Sequence, residues 1–260
     1  RLCLAAELAS VLRRRRFARG ALRIGSFEPE YEFDETGCLT GAAARPETAS
    51  HALIEEFMHA DNEAVAEFLL KRRAPAIYRV HEPPDAKSAI ELFDQLEELG
   101  VAVPPLREGA LASDRLGQVY ARAAAAIAAA SAREGRGRLS WPTLLLRSLK
   151  QAVYAAQNRG HFGLASPGYL HFTSPIRRYP DLVVHRALLK ELGVGPGAPG
   201  DEELAEIAEA CSAGERTFAR TETDGDDIAL AFLLDRRLHE LGWETTFSGE
   251  ITGLVPGGVF

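Results

Sequence analysis

The stretch 48–72 limits the possible folds of this chain more than any other. Leu53, Phe57, Ala60, Ala64 and Phe68 recur at steps of three and four residues, the spacing that aligns side chains along one face of an α-helix. A helix that long needs apolar partners along its length, so the fold has to be organised around helices. Pro75 stops it, and Ile77–Val80 reads as a brief strand.

The same period continues on either side. Leu2, Ala5, Leu8 and Leu12 predict a helix over 2–18, ended by Gly20, with Arg13–Arg16 as a solvated polar end. Ala21–Ile24 and Tyr31–Phe33 read as short strands around the turn Asp34–Glu35–Thr36–Gly37. Pro83–Pro84–Asp85 opens a helix carrying Ala89, Leu92, Leu96 and Leu99, which Gly100 closes. Two more helices are expected near 113–133 and 141–155, the second with Ser140 as N-cap and Pro142 in its first turn. His161–Pro175 reads as loop and short strand, Asp181–Leu192 as a helix, and Gly193–Gly200 as a linker. Asp201 caps a long final helix bearing Leu204, Ile207, Ala208, Cys211, Ile228 and Phe232, which Gly242 closes. The expected class is α+β, predominantly helical.

With 46% hydrophobic and 26% charged residues the composition is that of an ordinary globular protein. No apolar run approaches the ~20 residues needed to cross a bilayer, so no membrane partner is expected. Cys3, Cys38 and Cys211 form no CxxC pair. An odd number of separated thiols argues against a disulfide framework, and they read as reduced core or boundary residues of a cytoplasmic protein. The chain opens on Arg1 inside an apolar helical pattern and closes on the apolar run Gly253–Phe260. Both features predict a piece of a longer protein.

Charge is distributed unevenly. Between Arg136 and Arg186 eight Arg/Lys face one acid, Asp181, a local +7 in a chain of net −7, which leaves −14 for the rest. A basic island on an acidic chain points to a local polyanion site rather than attraction over the whole surface. At its centre lies Thr173–Ser174–Pro175–Ile176–Arg177–Arg178–Tyr179–Pro180–Asp181. Two prolines bracket two arginines there, fixing backbone dihedrals around guanidinium groups that can each grip a phosphate through paired hydrogen bonds. On composition alone the pair reads equally as solvated surface arginines.

The surrounding words extend the pattern. Leu146–Tyr154, His161–Leu164 and Tyr169–Arg186 follow His51–Met58 with Asn62, and Ile77–Asp85. In that order they resemble the C-terminal half of the catalytic domain of the ribonuclease II/ribonuclease R family, on its bacterial ribonuclease R side. The resemblance runs from about residue 2 to about 240. It implies residues 1–242 as the C-terminal part of the RNB exoribonuclease domain. From Phe247 the pattern resembles the opening of an S1-type RNA-binding barrel, so 243–260 is expected to be a truncated S1 start.

The resemblance implies processive 3′→5′ hydrolysis of RNA to nucleoside 5′-monophosphates. The mechanism uses two cations about 4 Å apart, held by converging carboxylates. The Asp-rich word that holds them in the family has no counterpart in this chain. Mg²⁺ is therefore expected in the parent enzyme with no ligands here, and the chain alone is expected to be inactive. The expected partner is the 3′ end of single-stranded RNA, with no small-molecule cofactor and a monomeric state. Arg177 matches the arginine that contacts the scissile phosphate, a donor of a kind that supplies ~3–4 kcal/mol. Glu55 matches a carboxylate that recognises the ribose near the 3′ end, and Glu56 is the weaker candidate. Arg178, Tyr179, His171 and Arg186 stand on the expected RNA path; His171 and His185 also read as hydrogen-bonded structural residues. A base-stacking aromatic is expected just after Ala21–Leu22, with Ile24 and Phe27 both open for that position. A noncatalytic RNA-binding module on the same fold is the alternative.

Two departures stand out. Asp61 occupies a position where the family has a small residue. Glu222, Asp224, Asp226 and Asp227 form a dense acid cluster, but successive helix residues diverge by about 100°, so the four read as a solvated or RNA-proximal face.

Overall fold

The computed structural model describes residues 1–24, 29–44, 48–106, 115–195, 197–255 and 258–259. It divides into two compact units, the first made of Arg1–Ile24, Ala49–Cys211 and Glu250–Phe260, the second of Gly25–Thr48 and Ser212–Gly249. Helices dominate, as expected.

In the first unit α1 (Leu2–Arg19) ends at Gly20, whose φ of 106° is left-handed. A Cβ there would lie 3.3 Å from the Gln118 amide nitrogen, so both conformation and space call for glycine. The face that α1 buries is not the expected one. Leu2, Leu4 and Leu8 are exposed, and the buried positions are Ala9 and Arg16, seven residues apart on one stripe. The helix α2 (Ala49–Arg72) has the expected extent, but Ala64 is exposed and the buried residues are Glu56, Asn62, Ala66 and Leu69. The buried stripe is thus polar at one end and apolar at the other.

After α2, β3 (Tyr78–Val80) pairs antiparallel with β4 (Val153–Ala155), Tyr78 opposite Ala155. Tyr78 and Val80 pack with Leu69, Leu170 and Val184 in one core cluster. The helix α3 (Ala86–Glu98) starts as expected: Asp85 is its N-cap, its carboxylate accepting from the Ser88 amide at 2.9 Å. Its buried Ala89, Leu92 and Leu96 join α4 (Leu116–Glu134) and α5 (Ser140–Ser148) in the largest apolar cluster, centred on fully buried Tyr120.

Two expectations about α5 are corrected. It stops at Ser148 instead of running to 155, because Val153–Ala155 is claimed by β3. Nor does Ser140 cap it. The cap is Glu250, more than a hundred residues away, whose carboxylate accepts from the amides of Arg138, Leu139 and Ser140 at 2.9–3.1 Å and from the Ser140 hydroxyl at 3.2 Å. Those hydrogen bonds hold the Glu250 carboxyl below its ordinary range. Gly137 just before α5 has φ 72°, and a Cβ there would fall 2.1 Å from the Trp141 ring.

Ala21–Ile24 is not a strand. It is irregular chain tied by the Leu22 amide to the Gly163 carbonyl, with Leu22 and Ile24 against the apolar cluster. The other position left open for base stacking, Phe27, lies outside the described residues. Past the 3₁₀ turn Phe162–Leu164, α6 (Tyr179–Glu191) buries Val183, Val184 and Ala187. The long α7 (Asp201–Leu241) contributes Leu204 and Ala208 to a cluster with Ile77, Tyr154 and Val183. The C-terminal residues form a hairpin of two short strands, β5 (Leu254–Val255) and β6 (Gly258–Val259).

In the second unit β1 (Pro29–Phe33) pairs antiparallel with β2 (Leu39–Ala44) around the expected turn, with a register shift between Glu32 and Phe33. The Tyr31 hydroxyl donates to Asp226 Oδ1 at 2.7 Å, and that bond is the main reason the Tyr31 phenol is pushed up to about 12. Glu222, Asp224 and Asp227 are exposed along α7. Cys3 and Cys38 are exposed rather than core, Cys211 is half-buried, and none of the three is in a disulfide.

Candidate nucleic-acid interface

The arginine loop is built on one buried carboxylate. Asp181, in the first turn of α6, is fully buried. Its Oδ1 accepts from the Ser174 amide at 2.8 Å and from the Arg178 guanidinium at 2.7 Å. Ser174 in turn accepts through its carbonyl from the amides of Arg177 and Arg178, closing a tight turn. The helix start therefore seats the loop. The consequence for the two arginines is opposite. Arg178 is tied inward to Asp181, whereas Arg177 is exposed and its guanidinium has no ion pair or hydrogen bond among the described residues. The fork that can take a phosphate is Arg177.

Behind the turn, Phe172 is held on both backbone groups. Its amide donates to Asn62 Oδ1 at 2.9 Å and its carbonyl accepts from His185 Nε2 at 2.9 Å, with the His185 ring stacked on its own at 4.1 Å. A groove of about 390 Å³ runs beside it, lined by Ile54, Phe57 and Met58 of α2 and by Phe172, Thr173 and Pro175. Asp61 and His185 also line this groove, and Asp61 places an exposed carboxylate on a mostly apolar wall.

Glu55 sits on α2 at the edge of that region, its side chain 45% exposed. Oε1 accepts from Arg16 at 3.1 Å and from His59 Nε2 at 3.3 Å. The His59 bond first, and the Arg16 charge after it, hold the Glu55 carboxyl below its ordinary range against partial burial. Oε2 has no partner among the described residues. Glu56, by contrast, is buried and closes a second pair with Arg16, Nε donating to Oε2 at 3.2 Å. Arg16 is the residue that sequence reasoning missed. It was expected in a solvated run, yet it is buried with its guanidinium across both glutamates.

The remaining candidates divide. Tyr179 and Arg186 are exposed on α6. His171 is turned into the structure, its Nδ1 on the Tyr154 hydroxyl at 2.9 Å; burial, then the charges of Arg178 and Arg79, lower it to about 3. It is thus a neutral structural histidine, and so is its neighbour His161, also lowered to about 3, chiefly by burial. Among the described residues no group of three or more His, Cys, Asp or Glu could hold a metal ion. The described side chains therefore do not fit the two-cation centre that the resemblance implies. No described helix is long and apolar enough to cross a membrane.

Known proteins resemble this chain in both sequence and fold. The RNB domain model matches residues 1–193. Ribonuclease R of Thermotoga maritima is 38% identical over 98% of this chain and 35% of its own length, and ribonuclease R of Escherichia coli is 33% identical over 98% and 31%. The chain thus spans about a third of these relatives. In fold it is similar to Mycoplasma genitalium RNase R in complex with ribose-methylated single-stranded RNA, with TM-score 0.81 and 27% identity over the whole chain and 39% of that protein. Family model, sequence relatives and fold together place this chain in the RNB-domain family of ribonucleases.

Proposed function

We propose that this chain is the RNA-contacting C-terminal part of the catalytic domain of a 3′→5′ exoribonuclease that hydrolyses RNA processively to nucleoside 5′-monophosphates. Residues 1–242 form that part and 243–260 open an S1-type domain. The observation that carries the reading is the arginine loop: an outward guanidinium, Arg177, on a backbone pinned by Asp181. Such a preorganised donor stabilises charge building on a phosphate without reorganising during the reaction. Tyr179 and Arg186 extend the path for the strand. The likeness to an RNase R bound to single-stranded RNA supports RNA as the partner, and its 3′ end is the part we assign to this site.

Glu55 accepts a ribose 2′-hydroxyl through its free Oε2, which separates RNA from DNA. Mg²⁺ would be held by carboxylates outside the described residues and would supply Lewis-acid activation there. Arg177 and Glu55 bind and orient the strand. The protein acts as a monomer in the cytoplasm.

The test is binding of a single-stranded RNA by fluorescence anisotropy across a salt series. Arg177→Ala should weaken binding several-fold and reduce the slope of log K against log salt by about 0.7, the single-strand value for one phosphate contact. Arg14→Ala, on the exposed face of α1, should leave both unchanged. An Arg177→Ala variant with unaltered slope would remove Arg177 from the interface. With Mg²⁺ added, the chain alone should release no mononucleotides; release that Arg177→Ala abolishes would show that the chain holds its own metal ligands. The rival reading is a noncatalytic RNA-binding module on the same fold. It predicts RNA binding without hydrolysis by the longer protein that contains this chain.

A further inference from the structure

The groups around Glu55 form one directional chain of hydrogen bonds. It starts at the arginine loop, where the Phe172 amide donates to Asn62 Oδ1. That bond fixes the Asn62 amide, since an N–H needs the oxygen facing it. Asn62 Nδ2 then donates to the Tyr169 hydroxyl at 2.9 Å. The Tyr169 oxygen accepts there, and its one proton finds an acceptor in His59 Nδ1, 3.0 Å away, when that nitrogen is bare. A bare Nδ1 puts the imidazole proton on Nε2, which faces Glu55 Oε1 at 3.3 Å. Each donor in the series meets one acceptor. Tyr169 and Asn62 are buried, and burial raises the Tyr169 phenol, which keeps it a donor.

We infer that His59 and Tyr169 are positioning residues for RNA-versus-DNA specificity: they lock His59 as the Nε2–H tautomer, so that Glu55 Oε1 is held and Oε2 is aimed at the ribose hydroxyl. Glu55 then has a single presentation instead of a rotating carboxylate. The same chain anchors Phe172, the residue that leads into the Arg177 turn, so the ribose-reading and phosphate-reading groups share one internal support. This rests on Glu55 reading the ribose, as proposed above.

Two measurements on the whole 260-residue chain test it. Long-range ¹H–¹⁵N correlation of the imidazoles should show His59 with a protonated Nε2 and a bare Nδ1, and Tyr169→Phe should turn this into a tautomer mixture. A protonated Nδ1 in the unmodified chain would overturn the inference without any variant having to fold. The second measurement is the ratio of affinities for a single-stranded oligonucleotide in its ribo and 2′-deoxy forms. Tyr169→Phe should cut that ratio roughly fivefold, the scale of one net hydrogen bond, and Glu55→Gln should cut it as far. If Glu55→Gln lowers the ratio and Tyr169→Phe does not, the positioning role is wrong while Glu55 keeps its place. If the unmodified chain shows no preference for RNA, the ribose reading of Glu55 fails and takes the specificity role with it.

Discussion

Acidification from neutral pH should unfold this chain progressively below about pH 6.5, the ordinary value of histidine, with His161 and His171 as the main cause. Both are lowered to about 3 in the folded chain, chiefly by burial, and in each case nearby arginine charges add to it. Unfolding returns them to water. Between the two values the unfolded chain binds protons that the native chain refuses, so stability is complete above the unfolded value and falls as the pH drops. Each group contributes about 1.4 kcal/mol per pH unit in that window. Two such groups over two units amount to about 5 kcal/mol, which equals the whole stability of a modest domain. The check is a series of urea melts from pH 7 to pH 4.5. His171→Gln, which can keep a partner for the Tyr154 hydroxyl, should remove about half of the pH slope. Equal stability across the series would mean that these histidines are accessible to protons in the native state.

Asp181→Ala should destabilise the first unit by about 3 kcal/mol, the lower end of the cost of breaking a buried ion pair. The lower end applies because Arg178 retains 20% exposure and can turn to solvent, whereas Asp181 has none. The Ser174 amide would also lose its acceptor, and the turn that presents Arg177 would lose its pin. At this chain length the loss corresponds to a fall in Tm of roughly 6–12 °C. RNA affinity should fall with it to the level of Arg177→Ala, although Asp181 never touches the strand. Asp181→Asn keeps one oxygen for the Ser174 amide and should fall between the two. A thermal melt of Asp181→Ala matching that of the unmodified chain would show that the loop does not depend on this carboxylate.

What could be read from the residues depended on how local their partners are. The helix α3 was legible to within a residue or two because Asp85 and Ser88, which cap its start, lie three apart. The extent of α2 was equally plain, but its buried face was not. Glu56 and Asn62 look like surface residues until Arg16, forty positions earlier, and Tyr169, more than a hundred later, are folded against them. The same non-local dependence hid Arg16 within a run of arginines and made α5 seem longer than it is. At the site, Arg177 and Arg178 are alike in sequence. The difference between them was nevertheless available: Asp181 stands three residues after Arg178, a helical pairing distance.

The capping of α5 by Glu250 carries a consequence for the order of events during synthesis. The amides of Arg138, Leu139 and Ser140 leave the ribosome 110 residues before the carboxylate that Ser140 meets. At usual elongation rates that is an interval of roughly 5–20 s. For that time water has to satisfy the start of α5, although the apolar cluster behind it, with Tyr120 and Trp141, is already complete in the nascent chain. Closing so wide a span costs chain entropy that local contacts do not. The C-terminal segment should therefore be the last part to dock and, in reverse, the first to leave.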